Sequence, residues 1–571
     1  MAKNNLSGLI KMRKLRIVLQ ILFFSLFLFL FFFINKHPYA YSLKSEFFLQ
    51  LNPLAAIATM IASRNLIFPF ALFSLFILLG TIFFGRFFCG FFCPLGAMID
   101  FFDRFFFGKI RLKYRPPRFL QRVKYAFLLI ILILSIFGVL FPLFMDPISI
   151  STRFFTFLVY PIFNIVGIDL LNIIGLFSTS YSNLLYSRFP LHVPLYYGIV
   201  FTFLMMVFVF GASLLDKRFW CQYICPTGAF LGILSRFSFF RRQANKTHCN
   251  ECKRCVKSCP VRAIDENDLS KTRVSECIEC GICVQLKTSC SKFSFSVPSN
   301  KTVTPPDLEK RHFLTGITGG LFLLPVFRAT AIARKDDHGK LIRPPGAIPE
   351  NEFLSRCITC GECMKVCPTN ALQPCMFTDG FSRLYTPKLV PRVGGCEEKC
   401  SLCGNVCPTN AIRKLPLEEK RFAKIGTAVV DRHRCLAWEQ NKECLVCDEV
   451  CPYNAIEARI IETVRGHFKV PVVNQDLCLG CGMCEHSCPI FDKAAIVVYK
   501  FGENRRSSGI YATERQKVAI VEQRRASDSK YLGKSFHSDG ETKQDEMIPE
   551  KHEGFISLDE DNKNIPEGFM E

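Results

Sequence analysis

Twenty-nine cysteines, most of them in one recurring phrase, constrain this 571-residue chain more than any other feature. Cys249, Cys252, Cys255 and Cys259-Pro260 spell C-x-x-C-x-x-C-x-x-x-C-P, and Cys277, Cys280, Cys283 and Cys290 repeat it with a longer last gap and Ser291 in place of proline. Four further sets follow: Cys357, Cys360, Cys363, Cys367; Cys396, Cys400, Cys403, Cys407; Cys435, Cys444, Cys447, Cys451; and Cys478, Cys481, Cys484, Cys488. Each of these closes on Cys-Pro, and the phrases PVRAI, PTNAL, PTNAI, PYNAI and, more loosely, PIFDKAAI recur after the closing cysteine. Three closely spaced thiolates wrap three irons of one cubane, while the fourth, after a turn, reaches the other cluster of a pair. On that rule Cys290 completes the first cluster and Cys259 the second. Zinc sites end after four ligands in two pairs, so this three-plus-one spacing predicts six [4Fe-4S] clusters held by these 24 cysteines. The sets opening at Cys396 and Cys435 have irregular first gaps, which leaves a [3Fe-4S] or altered site as an alternative there. Spacing does not say which of the four later sets exchange their last cysteine.

Size and composition exclude a small disulfide scaffold and a single globular core, since 50% of residues are hydrophobic, 59 are Phe, and 21% are still charged. A composite of membrane and soluble parts follows. Residues 17–34 form an uncharged run long enough to cross a bilayer, and further spans are expected at 66–88, 123–145 and 194–215. The loop between the second and third is dense in Arg and Lys, whereas 146–193 carries only Arg153 and Arg188. The positive-inside rule then puts the N-terminus, the 100–124 loop and the chain after 215 in the cytoplasm. Residues 154–177, with Pro161, Asn164, Asp169 and Asn172, are expected to lie at the interface, as are residues 53–63. The net charge of +22 does not call for nucleic acid. Six thiolate-ligated clusters of charge about −2 offset roughly 12 of those positive charges, and no aromatic-interleaved basic patch is present.

Four of the five remaining cysteines form matched pairs: Cys89 and Cys93-Pro94 after the second span, Cys221 and Cys225-Pro226 after the fourth. Parallel spans would bring them together as a redox-active dithiol set or a four-cysteine metal site; a tight turn at a helix end is the plainer alternative. Cys375 stands alone and reads as a buried free thiol. No C-x-x-C-H occurs and no histidine lies within the four expected spans, so no haem is expected. No Walker motif and no convincing dinucleotide fingerprint appears.

Residues 309–327, EKRHFLTGITGGLFLLPVF, set a basic start before an apolar run and resemble a twin-arginine export signal in Lys310-Arg311-His312-Phe313-Leu314, with Lys in place of the first Arg. A short amphipathic linker helix is the alternative. The region to about 295, with CGFFCPLG, CQYICPTG and a two-cluster ferredoxin, resembles the NapH and MauN families of membrane quinol dehydrogenase components. The region from about 309, with Ile342-Arg343-Pro344-Pro345-Gly346-Ala347 and four cluster motifs, resembles the NapG and MauM families. The resemblance implies a natural fusion that takes electrons from the quinol pool to a periplasmic redox partner protein, a reductase or cytochrome, with quinol as substrate. It implies a multi-pass protein of a bacterial inner membrane, with the first ferredoxin module cytoplasmic and the later one periplasmic. An assembly or regulatory factor that supplies electrons for maturing a metalloenzyme is the alternative.

The expected fold is therefore multi-domain: an α-helical membrane bundle of four spans plus an internal signal or anchor helix, joined to α+β bacterial-type ferredoxin modules. Its expected domains are a membrane domain (1–245), a two-cluster ferredoxin (246–300), a linker with the export-like helix (301–345), a four-cluster ferredoxin (346–502) and a disordered tail (503–571). Anaerobically reconstituted protein is expected to hold about 24 iron and 24 acid-labile sulfide per chain in these six sites, four of each per cubane. A value near eight would remove the carboxyl-terminal clusters, and zinc in place of iron would overturn the assignment.

Overall fold

In the computed structural model the chain divides into two compact units, one of residues 1–335, 343–423 and 505–509, the other of 336–342, 424–504 and 510–571. The structure describes residues 2–33, 46–107, 110, 116–175, 193–244, 249, 252–286, 291–295, 314, 316–323, 325, 339–463, 466–513 and 516–523.

Apolar helices build the first unit. Three segments, Lys14–Phe32, Arg118–Ile136 and Pro147–Gly167, are long and apolar enough to cross a membrane, while Pro53–Ser63, Phe68–Phe84 and Ile199–Leu214 are apolar but shorter. Two of the expected spans, 17–34 and 123–145, thus meet the length criterion, and those at 66–88 and 194–215 form shorter helices. The segment expected at the interface differs. Residues 154–175 belong to a helical run that begins at Pro147–Phe154, passes through the π-turn Phe155–Val159 and continues as Tyr160–Gly175. The π-turn widens the helix just before Pro161, which lacks an N–H and crowds the preceding turn. Thr156 and Asn164 turn into the bundle and are buried, and Asn164 Nδ2 donates to Tyr160 O at 2.7 Å. The polarity of Asn164 is therefore met inside the protein, which the sequence pattern alone did not show.

Side-chain caps start two of these helices. Asn52 Oδ1 accepts from Ala55 N at 3.2 Å, with Pro53 following. Asp146 Oδ2 accepts from Ile148 N and Ser149 N at 3.0 and 3.1 Å, with Pro147 following. Asp146 Oδ1 also accepts from Thr227 Oγ1 at 2.7 Å, and further along the same run Phe157 packs on Tyr196 and Tyr385.

Two ferredoxin modules of this unit meet opposite ends of its helices. The first, around Cys249 to Cys283, docks where Phe68–Phe84 ends and Arg118–Ile136 begins: Arg86 Nη1 donates to Ser275 O at 2.6 Å, Arg262 Nη1 to Pro116 O at 2.7 Å, and Lys124 pairs with Glu276. Beyond the end of Ile199–Gly211, Gln222 Nε2 donates to Pro260 O at 3.2 Å. The second module, around Cys357 to Cys407, meets the start of that helix, where Tyr385 Oη donates to Gly198 O at 2.8 Å. It also meets the end of the first helix, where Lys365 Nζ donates to Phe31 O at 3.0 Å. The described part of the export-like segment, 316–323, is helical and lies along Val123–Ile136. A Cβ on Gly316 would stand 2.7 Å from Leu129, and one on Gly320 3.2 Å from Ile133, so both glycines permit the approach. Lys310 to Phe313 lie outside the described residues.

Two modules are closed by strands from before the first cysteine set and after the second. Phe240–Ala244 pairs antiparallel with Ser291–Phe295, and Thr427–Val430 pairs with Ile496–Tyr499. The middle module has only the bridge Ala347 to Ile412 in that place, beside the small sheet Leu372–Pro374 with Pro387–Leu389. The second unit adds the hairpin Ile456–Thr463 with Gly466–Val473. The four later motifs, expected in one domain, thus fall two to each unit.

The start of the segment expected to be disordered is held in place. Arg505 Nη1 reaches Glu350 Oε2 at 2.8 Å, and Arg413 Nη2 donates to Gly509 O at 2.6 Å. Glu350 also takes Arg343 through both oxygens, at 2.6 and 3.0 Å, and Arg383 at 3.2 Å. Burial opposes ionisation of Glu350, but Arg343, joined by Arg505, outweighs it and holds the carboxyl well below its ordinary value of 4.5. A depressed carboxyl contributes stability above its unfolded pKa and loses it as pH falls. Glu350→Gln is expected to lower the thermal unfolding midpoint of detergent-solubilised protein at neutral pH, and to remove part of the loss seen in the parent below 4.5. Parallel melting curves of parent and variant across that range check this.

Candidate metal centres

Four apolar cavities are each walled by four cysteines. One is faced by Cys357, Cys360, Cys363 and Cys407, and one by Cys277, Cys280, Cys283 and Cys259. In the second unit, one is lined by Cys435, Cys444, Cys447 and Cys488, and one by Cys478, Cys481, Cys484 and Cys451. Three cysteines come from one set and the last from its neighbour, so exchange is between adjacent sets, the point that spacing left open. Cys396, Cys400 and Cys403 are likewise joined by Cys367, whose charge acts on all three. The wide opening gaps at Cys396 and Cys435 do not change this arrangement. Cys259 takes the place expected of it, whereas Cys290 lies outside the described residues. Cys249, Cys252 and Cys255 make up the described remainder of the first set.

The recurring phrase after each closing cysteine has a backbone reason. Its third residue, Arg262, Asn370, Asn410 or Asn454, adopts the left-handed conformation with φ between 47° and 56°. Asn tolerates that region better than most side chains. The turn aims the following N–H groups at sulfur: Ala263 N lies 3.3 Å from Cys259 Sγ, Ile412 N 3.5 Å from Cys407 Sγ, and Ala455 N 3.4 Å from Cys451 Sγ. Within the sets, Gly281, Gly361 and Gly482 are left-handed directly after a cysteine, as is Lys253.

The chemistry of these donors fits iron–sulfur clusters. Burial pushes the Cys396 thiol up to about 11, with Cys367 and Cys400 adding to it against Lys420, and it pushes Cys357 up to about 12. Such thiols ionise at neutral pH only with a cation among them, which clustered iron supplies. Among the described residues no group of three or more His, Cys, Asp or Glu closes on a single ion. A tetrahedral zinc site would need sulfurs about 3.8 Å apart, from Zn–S bonds of about 2.3 Å.

The two C-x-x-x-C-P pairs also come together. Cys93 and Cys225 are buried N-caps of Pro94–Phe102 and Pro226–Leu234, which is why proline follows each. Gly228 N donates to Cys225 Sγ at 3.2 Å, and Cys225 feels the charges of Cys221, Cys89 and Cys93. Cys89 also packs against the buried cluster of Val261, Ala263, Ile278 and Cys280 in the first module. Cys375 is fully buried and stands apart, 3.7 Å from Arg343 Nη1. Sequence reading missed Arg86 and Arg218, fully buried beside the paired thiols. The signal was present, since an Arg stands three residues before the first cysteine of each pair.

Known proteins agree with these geometries. A 4Fe-4S binding domain family matches residues 66–113 and 199–246, and 4Fe-4S dicluster domain families match 241–286, 273–371 and 442–491. The 273–371 match joins the second and third sets, which the structure assigns to different modules. The ferredoxin-type protein NapG of Escherichia coli is 35% identical over 203 residues, 34% of this chain and 86% of NapG. MauM, a methylamine utilization ferredoxin-type protein, is 35% identical over 168 residues in Methylorubrum extorquens, 28% of this chain and 72% of MauM. The Paracoccus denitrificans MauM is 35% identical over 183 residues, 31% of this chain and 81% of that protein. No solved structure matches. The cavities and these matches define an iron–sulfur electron-transfer protein of the ferredoxin type. The chain belongs to the NapG/MauM family of ferredoxin-type proteins.

The exchange of closing cysteines yields a direct test. Cys407→Ser is expected to damage the Cys357 cluster and leave the Cys396 cluster intact, and Cys367→Ser the reverse, each removing up to about four irons per chain. Iron analysis with EPR of the reduced protein checks this, and loss of the unexchanged partner would contradict the pairing.

Proposed function

We infer that this chain is a membrane-bound electron conduit. It takes electrons from the quinol pool and passes them through six [4Fe-4S] clusters to an oxidoreductase or cytochrome on the far side of a bacterial inner membrane. The carrying observation is the docking of two ferredoxin modules at opposite ends of one set of apolar helices. The Cys249 module sits by the basic loops, the side that faces the cytoplasm under the positive-inside rule. The Cys357 module then faces the periplasm. The Cys435 and Cys478 sets are assigned to the periplasm as well, because they too follow the export-like segment 309–327. The fused NapH-like and NapG-like halves support the same reading, as does the helical segment 316–323 alongside Val123–Ile136. Four clusters beyond the first module favour carriage over distance rather than the short path that a maturation factor needs.

Reporter fusions at the carboxyl terminus test the direction of this path. They are expected to show an external terminus, and Arg311→Gln is expected to strand the carboxyl-terminal clusters inside by weakening the export-like signal. An internal reporter in the unmodified chain would defeat the transmembrane reading and favour an acceptor in the cytoplasm.

A further inference from the structure

The paired thiols carry a longer shared phrase. Arg86-Phe87-Phe88-Cys89 leads to Cys93-Pro94-Leu95-Gly96, and Arg218-Phe219-Trp220-Cys221 leads to Cys225-Pro226-Thr227-Gly228. In each, Arg stands three residues before the first cysteine and Gly three after the second. The fold exchanges them. Arg218 Nη1 donates to Cys89 O at 2.9 Å, and its Nη2 lies 3.5 Å from where a Cβ would stand on Gly96. Arg86 Nη2 lies 2.8 Å from the matching position on Gly228, a point 3.4 Å from Cys225 Sγ and 3.6 Å from Cys221 O. Each arginine thus leaves its own motif and seats its guanidinium on the other motif's Cys-Pro-x-Gly turn. Glycine there gives it room.

Buried charges surround the thiols. Arg16, Arg86, Lys124 and Arg218 are all buried. Their carboxylate partners are Asp100, paired with Arg16 and Arg218, and Glu276, paired with Arg86 and Lys124. These ion pairs set four buried cations against two carboxylates, and Arg86 Nε has no hydrogen-bond partner among the described residues. Three further buried acids lie close: Asp216 accepts from Tyr223 inside the second pair and is matched by Arg262, Asp146 bonds Thr227 and backbone N–H groups, and Glu279 lies against Gly85 beside Arg86. Buried guanidinium groups seated directly on the cysteine turns favour an anion between them. Four thiolates around a [4Fe-4S] core carry a charge of about −2.

We propose that Arg86 and Arg218 are exchanged positioning residues that bind the two C-x-x-x-C-P pairs into one four-thiolate site for a single anionic iron–sulfur cluster. This rests on the electron-conduit reading, under which the site is a seventh redox centre packed against the first module. One-electron reduction of the centre adds one negative charge and moves no atom. The two guanidinium groups favour that charge and raise the midpoint potential.

The test uses the full-length protein in detergent, with dithionite as reductant and EPR-monitored potentiometry. Unmodified protein is expected to hold about 28 irons, falling to about 24 in Cys89→Ser/Cys225→Ser, with one reducible signal lost. Arg86→Gln and Arg218→Gln are each expected to lower that signal's potential by at least a tenfold change in its redox equilibrium, about 59 mV for one electron. Arg86→Lys is expected to recover most of it. Gly228→Ala keeps the charge but displaces Arg86, and is expected to shift the same signal even if the Gln variants do not fold. An iron content of about 24 that the cysteine variant leaves unchanged would overturn the proposal. So would loaded Gln and Ala variants whose potential does not move. If the shifts occur while a quinol analogue reduces no cluster, the site stands and the conduit reading fails.

Discussion

Buried thiols that face one cavity repel each other as soon as they ionise, and the rest of this structure is arranged around that repulsion. Cys403 shows the problem: burial pushes its thiol well above the ordinary value, and Cys396, Cys400 and Cys367 push it further. Iron relieves both effects at once, so metal binding and module folding share one free energy. The remaining fit is made by backbone. Left-handed residues after the cysteines turn N–H groups toward sulfur, and the paired outer strands hold the two sets of a module in register.

The helices of the first unit serve the same end by placing modules at a distance. Their attachment points are buried charges rather than apolar faces alone. At one end Lys124, Arg86 and Glu276 form a buried triad that joins the Phe68–Phe84 and Arg118–Ile136 segments to the first module. At the other, Lys365 pairs with Glu362 at 2.8 Å and lies 3.4 Å from the centre of the Phe31 ring. Breaking one partner of such a pair costs about 3–5 kcal/mol, because the other charge stays buried. These contacts therefore fix where each module docks. The buried polar groups Asp146, Thr227 and Asn164 follow the same rule, Asp146 with Thr227 and Asn164 with Tyr160 O.

Much of the site was legible in the sequence, because cluster ligation is a local property. Three cysteines within seven residues wrap one cubane whatever surrounds them, and a Cys-Pro step followed by Asn or Arg in a left-handed turn makes the same sulfur cradle each time it occurs. The repeated Cys-Pro after two apolar helices was similarly readable, since proline marks the first turn of a helix. Where a polar residue fell in an apolar segment, as at Asn164, hydropathy misled. It counts a polar atom as a cost without knowing whether a partner waits inside.

What the sequence by itself determined was therefore the kind of chemistry, the cysteine sets that carry it and the joining of apolar helices to ferredoxin-type parts. Tertiary structure decided which sets exchange their closing cysteines, that the last four divide between two units, and that two modules cap opposite ends of the same helices. It also decided that the arginines of the paired motifs trade places. The reason is physical: ligand spacing and helix starts depend on neighbours a few residues apart. Exchange, docking and charge balance depend on groups a hundred or more residues apart, such as Arg218 and Cys89 or Lys365 and Phe31, and only folding brings those within a few ångströms.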